Sequence, residues 1–184
     1  MVTAGRSAER RPWLTGTVFF LGLTLLGLAA LAYAGGVRVN LSGSIPPGLY
    51  RETSGRVTRG VIVLACLPPG VSSFARARGY VPSGSCDDGS APVGKVVVAQ
   101  ARDTVDITTG GVSVNGRLLP NSAPLEQDSN GRPLPTLRIA KHVVASGEVW
   151  LVSSYSRHSF DSRYFGGIAT TRVIERIEPL LTRK

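Results

Sequence analysis

The sequence predicts a mainly antiparallel β domain carried on a single N-terminal transmembrane helix. Three observations carry that expectation. An uncharged run of membrane length lies near the N-terminus, and a series of short β-branched segments separated by turn formers follows it. After Ala34 no stretch shows helical periodicity beyond one or two turns.

The uncharged run is LTGTVFFLGLTLLGLAALAYA, residues 14–34. At a rise of about 1.5 Å per residue it spans roughly 30 Å, the thickness of a hydrocarbon core. Arg6, Arg10 and Arg11 precede it, and Arg38 is the basic residue closely following it. That asymmetry places the N-terminus in the cytoplasm and the body outside. The organisation expected is a tail at 1–13, an anchor at 14–34 and a β-rich domain at 35–184. A cleaved signal peptide is the alternative, since ALAYAGG offers a small-residue cleavage site. The run is longer than the roughly 7–15 apolar residues usual in signal peptides, which favours the anchor.

Beyond the anchor, GVIVLACL (60–67), GKVVVAQA (94–101), DTVDI (103–107), GVSVNGRLL (111–119) and GEVWLVSS (147–154) read as strands. Asn115-Gly116 supplies the two positive φ angles of a type I′ hairpin turn. FARARGY (74–80) reads as a short helix, and the Pro/Gly-rich stretch 121–136 as a loop or insertion. Cys66 and Cys86, both in the exported part, read as one disulfide, worth about 3 kcal/mol for a loop of that size. The formal charge of +9 suits either nucleic acid or anionic lipid. No zinc-finger spacing, RNP-like motif or dense Lys/Arg run supports nucleic acid, which leaves the membrane surface.

Candidate chemistry sits in three segments. NLSGSIPPGLYR (40–51) follows the anchor directly and holds two serines before a Pro-Pro-Gly turn. Alone it reads equally as a juxtamembrane linker. A serine nucleophile needs a base. His158 lies three residues before Asp161, too close for an unstrained Ser-His-Asp series, and His142 sits beside Lys141. Lysine is the other option. Of 21 lysines and arginines only Lys95, Lys141 and Lys184 are lysines. Arginine does not deprotonate, whereas a buried lysine can. The valines around Lys95 in VGKVVVA would disfavour its ammonium form, although an edge-strand lysine facing solvent fits the same residues. The third segment, SFDSRYFGG (159–167), crowds Ser159, Asp161, Ser162 and Arg163 together; an Asp161–Arg163 pair would fix the loop. Neither cysteine nor histidine spacing indicates a metal site.

In this order SGSIPPGLY, GKVVVAQARDTVDI and SFDSRYFGG resemble the conserved boxes of type I signal peptidases, most closely the conjugative-transfer, TraF-like branch. RGVIVLACLPP also looks like the strand that precedes the lysine segment in that family. The resemblance implies a signal-peptidase-like β fold, a periplasmic catalytic face, an inner-membrane anchor, and neither metal nor organic cofactor. It implies Ser44 as nucleophile, Lys95 as general base and Asp161 as an essential supporting acid. Ser42 matches an oxyanion-assisting hydroxyl, Ser159 a residue orienting the lysine, and Arg163 the basic support. Ile45 and Pro46 would line the substrate pocket. Three departures stand out. Ile45 replaces the commoner methionine, SSYSRH replaces the Gly-Asp-Asn string of housekeeping enzymes, and Gly167 replaces an expected proline, which would loosen that loop.

The implied reaction is acyl transfer from a membrane-embedded protein such as a prepilin, ending in hydrolysis or in joining of the pilin's ends. Two rivals remain. One is a non-catalytic exported subunit of a conjugation apparatus. The other is a Ser/Lys self-cleaving regulator, disfavoured by the anchor and by the lack of a helix-turn-helix.

Overall fold

The computed structural model describes residues 12–183. Residues 1–11, most of the expected tail, and Lys184 lie outside the described residues. The chain divides after Val37 into two units, each described by itself.

The first unit holds helix α1, Pro12–Ala34. Proline suits a first helical turn, where its missing N–H is not needed. Gly35 and Gly36 end the helix, with Gly36 at φ 81° and its N–H donating to the Tyr33 carbonyl. The stretch Gly16–Ala34 has a mean hydropathy of 2.0 and none of it is buried within the protein. A helix apolar all round fits lipid, as either a membrane anchor or a signal sequence.

The second unit runs from Arg38 and is almost entirely β. In chain order its elements are β1 (Val37–Asn40, beginning at the unit boundary), β2 (Gly48–Thr53), β3 (Ile62–Ala65), helix α2 (Pro69–Ala77), β4 (Val93–Gln100), β5 (Thr104–Thr108), β6 (Gly111–Val114) and β7 (Arg117–Leu118). They continue with β8 (Ile139–Val143), β9 (Glu148–Val152), helix α3 (Ser162–Phe165), β10 (Ile168–Ala169), a 3-10 turn at Thr170–Arg172 and β11 (Val173–Thr182). One sheet has the order β1-β2-β11-β3-β4-β9-β10 and the other β7-β6-β5-β8. The pairs β2–β11, β11–β3, β3–β4, β4–β9, β9–β10, β5–β6, β5–β8 and β6–β7 are all antiparallel. The fold class is as expected: an antiparallel β body with one N-terminal apolar helix.

Strands β4 and β9 are buried on both faces, which explains their unbroken apolar runs. Val97, Val149 and Leu151 pack with Val63, Ala65 and Ile168. Val98, Ala99, Trp150 and Val152 pack instead with Val105, Ile107, Val112 and Val114 from the smaller sheet. A bulge between Val97 and Ala99 shifts the register between the two faces. The Asn115-Gly116 hairpin turn forms with both residues at positive φ, 52° and 78°.

The helix expected at 74–80 starts earlier, at Pro69, and lies within the loop closed by the Cys66–Cys86 disulfide. Proline at its first turn sets that start. Strands β1, β2, β8, β10 and β11 were not anticipated. Strand β11, VIERIEPLLT, sits inside the sheet between β2 and β3, yet it carries Glu175, Arg176 and Glu178. Those charges mask its period. Glu175 and Glu52 both accept hydrogen bonds from Arg38, and Glu178 pairs with Arg176.

Candidate active site

The turn between β1 and β2 carries Ser42, Ser44, Ile45 and Pro46. Asn40 organises it: its Nδ2 reaches the carbonyls of Ser42, Ile45 and Pro46 at 3.1–3.2 Å. The buried Tyr50 donates its hydroxyl to the Pro46 carbonyl at 2.6 Å. Gly48 has φ 151°, and a Cβ there would lie 2.1 Å from the Leu181 carbonyl oxygen, so the Pro-Pro-Gly turn can pass β11 only with glycine. Ile45 is buried with Tyr50 and Ile177, locking the residue after Ser44 into the core.

Lys95 enters from β4, paired across the ladder with Val63. Gly94 before it leaves room for Ile45, whose Cδ1 would be only 3.0 Å from a Cβ at that position. Lys95 is 3% exposed. Its Nζ is hydrogen-bonded to Ser44 Oγ, and donates to Ser159 Oγ at 2.7 Å. The two serine hydroxyls are themselves 3.3 Å apart. Burial pushes the ammonium down from 10.5 to about 8; the Asp161 carboxylate opposes that shift and the Arg163 guanidinium adds to it.

Ser159 comes from the segment between β9 and α3. Phe160 holds this segment by stacking on Phe74 of α2 and on Tyr164, with ring centroids 5.6 Å apart in both cases, and it also meets Tyr80 and Phe165. The disulfide-closed loop thus supports the residue between Ser159 and Asp161. Asp161 caps α3 by accepting the Arg163 backbone N–H. Its carboxylate takes Arg163 Nε at 2.8 Å and Nη2 at 3.0 Å, and both side chains are fully buried. Arg163 spends its other donors on the carbonyls of Asn121, Arg157 and Ser153. A buried pair with its remaining hydrogen bonds satisfied is stable in one geometry.

Of the residues singled out in the sequence, Ser44, Lys95 and Ser159 meet directly. Asp161 and Arg163 form the neighbouring pair, and Ile45 and Pro46 follow Ser44 in the turn. Ser42 stands apart: it is exposed, and its hydroxyl donates to Asn40 Oδ1 at 2.7 Å. Neither histidine joins the cluster. His142 engages Glu148, and His158 is exposed. Gly167 does not simply loosen its loop, because the space a larger residue would fill is held by the Glu148 carboxylate, which accepts the Trp150 indole N–H. Among the described residues no group of three or more His, Cys, Asp or Glu side chains converges as a metal site.

Sequence reasoning missed Ser153 and Asn40. Ser153 follows β9 and is fully buried, and Asn40 ends β1. A polar residue directly after the apolar run EVWLV was the available signal for the first.

A buried lysine hydrogen-bonded to a serine hydroxyl, on an antiparallel β body, is an arrangement suited to peptide-bond chemistry. The sequence profile of "Signal peptidase, peptidase S26" matches residues 13–181, nearly the whole chain. The chain therefore belongs to the peptidase S26 family of signal peptidases. Within that family it is 43% identical to a plasmid transfer protein TraF of Escherichia coli, over 90% of this chain and 93% of the relative. It is 37% identical to a probable conjugal transfer protein TraF of Sinorhizobium fredii, with 91% of each chain covered. A conjugal transfer protein TraF of Agrobacterium tumefaciens is 36% identical over 92% and 94% of the two chains. Among solved structures, a signal peptidase I from Enterococcus faecalis aligns with TM-score 0.38 and 16% identity, covering 67% of this chain and 98% of that one. The protein is thus signal-peptidase-like, and its similar relatives are conjugation proteins.

Proposed function

We propose that the chain is a membrane-anchored serine endopeptidase with a Ser44/Lys95 dyad, acting on a prepilin or another exported protein of a conjugative transfer system. The observation that carries this reading is the buried Lys95 amine, hydrogen-bonded at once to Ser44 and Ser159. Neutral Lys95 donates to Ser159 Oγ, which leaves its lone pair aimed at the Ser44 proton.

The Ser44 hydroxyl proton passes to Lys95 Nζ as Oγ attacks the scissile carbonyl carbon. The tetrahedral intermediate collapses when Lys95 returns that proton to the leaving amine, leaving an ester on Ser44. Water or a second amine, deprotonated by Lys95, then attacks the ester and regenerates the hydroxyl. Water gives a cleaved chain, and a pilin's own amino terminus gives a ring. The Ser44 backbone N–H would serve as one oxyanion donor. Ser42 would join it by exchanging its bond to Asn40 for one to the substrate.

In this reading α1 stays as a single-pass anchor in the inner membrane, with the N-terminal tail cytoplasmic and the β body periplasmic. Substrate and enzyme then meet at the lipid surface, and small side chains precede the cut bond. Co-expressing a conjugative prepilin with wild type, Ser44→Ala or Lys95→Ala, followed by mass spectrometry, tests the reading. Wild type should give mature pilin, lighter by one water if cyclised, and both variants the precursor. Processing that survives in both variants would sink it and favour a structural subunit.

A further inference from the structure

We infer that Ser153 is a positioning residue for the nucleophile, and that the Asp161–Arg163 pair acts on Ser44 through it. The inference rests on the peptidase reading above. Ser153 lies just beyond β9 and opens the string SSYSRH. It is completely buried, and every polar atom it has is engaged by the site. Its Oγ donates to the Ser44 carbonyl oxygen at 2.5 Å. The Ser156 backbone N–H donates to that same Oγ at 3.1 Å, which leaves the hydroxyl hydrogen for Ser44. Its own N–H donates to Asp161 Oδ2 at 2.9 Å, and its carbonyl accepts Arg163 Nη2 at 2.8 Å.

The carboxylate and the guanidinium thus grip the two backbone groups of one residue, whose side chain grips the backbone of the nucleophile. Fixing the Ser44 carbonyl fixes ψ at Ser44, because that oxygen lies in the Ser44–Ile45 peptide plane. Asn40 and Tyr50 hold the following carbonyls, so Ser153 completes the restraint at the reacting residue itself. With the backbone set, the Ser44 Cβ–Oγ bond is aimed at Lys95 Nζ. Neither Asp161 nor Arg163 hydrogen-bonds to Ser44 or Lys95; among the described contacts, the hydrogen-bonded path from the pair to the Ser44 backbone runs through Ser153, whereas Ser159 on the Asp161 segment meets the Ser44 side chain.

The test uses the full chain in detergent micelles and an internally quenched peptide with alanine at the first and third positions before the scissile bond. Ser153→Ala should lower kcat roughly tenfold to a hundredfold, the cost expected of a misplaced reacting group, with KM within about twofold. The midpoint of the pH–rate profile should stay where wild type has it, because Ser153 does not touch Lys95. Ser153→Thr, which keeps the hydroxyl, should recover most of the loss. Combining Ser153→Ala with Asp161→Asn should cost less than the product of the two single effects. A Ser153→Ala chain with kcat within twofold of wild type overturns the inference, as does a loss that Thr does not recover in a chain melting at the wild-type temperature. Wild type no faster than Ser44→Ala overturns the peptidase reading itself, and this inference with it.

Discussion

Two aspartate–arginine clusters sit on neighbouring loops of the β body, and they are built for different ends. Asp161 and Arg163 are completely buried, bidentate, and bound to both backbone groups of Ser153. Asp128 pairs with Arg132 at 2.7 Å in the loop after β7, accepts the Tyr80 hydroxyl, and lies 3.9 Å from Arg78. It ties the 121–136 stretch to the segment after α2 and leaves its arginines partly in water. Burial of Asp128 raises its carboxyl's pKa, but bonds from Tyr80, Arg132 and Asn130 more than offset that and hold it well below the usual carboxylate range. The outer cluster fastens one loop to another. The inner one fastens loops to the Ser44 turn, and its charges have no solvent to fall back on.

Removing one inner charge should give the largest effect. Asp161→Asn leaves Arg163 buried and uncompensated, which costs about 3–5 kcal/mol of stability and should cut prepilin processing by about a hundredfold or more without abolishing it. Arg163→Lys keeps the charge but loses the two-pronged contact to the carboxylate and the bonds to Ser153, Asn121 and Arg157. Processing should fall at least about tenfold, within the range that misplacing a reacting group costs. Urea unfolding of the purified chains and processing rates check both. Wild-type processing in either variant would make the inner pair a mere staple, like the outer one.

Lys95 sharpens the contrast, because burial acts on it most strongly and the inner pair acts with opposite signs: Asp161 raises the lysine, and Arg163, the smaller influence, lowers it. Burial therefore sets the base. Cleavage should rise with pH through about 8 as the neutral amine forms. Asp161→Asn should move that midpoint downward in any chain that still folds, whereas changes at Asp128 should not move it. Stability follows the same titration. The folded chain releases this proton near pH 8, whereas an unfolded lysine holds it to 10.5. Between those values the unfolded state binds more protons, so stability rises with pH across that window. Lys95→Met removes the buried ammonium and should raise Tm at pH 7 more than at pH 10.

How much of this was legible in the sequence varies by residue. Lys95 stood out by its valine neighbours and by the scarcity of lysine, but a solvent-facing edge-strand lysine fitted the same residues until the structure showed it buried. Cys66 and Cys86 were readable from count and context, and Asn115-Gly116 from turn chemistry. Ser44, alone, was indistinguishable from a linker serine, and the family boxes singled it out. Strand β11 was hidden because its ladder position is interior while its side chains are half in water. Ser153 was hidden for a deeper reason. Its proposed role lies in what its hydroxyl reaches across 109 residues of chain, and no local pattern encodes a partner that distant.

The smallest expected effect is the most discriminating for the comparison. Asp128→Asn removes one charge from a cluster whose arginines can turn to water, and the Asn side chain still accepts from Tyr80 or the nearby backbone N–H groups. Processing should stay within about twofold of wild type, in line with the modest worth of partly exposed pairs, and the pH midpoint should not shift. Limited proteolysis should nonetheless cut the 121–136 stretch faster, because Asp128 also accepts the Asn130 and Arg132 N–H groups that fold the loop on itself. A large loss of processing with no change in cleavage of that stretch would mean the outer cluster acts on the site. Its route would then run through Tyr80 and the Phe160 stack to Ser159, and the separation between fastening and positioning would fall.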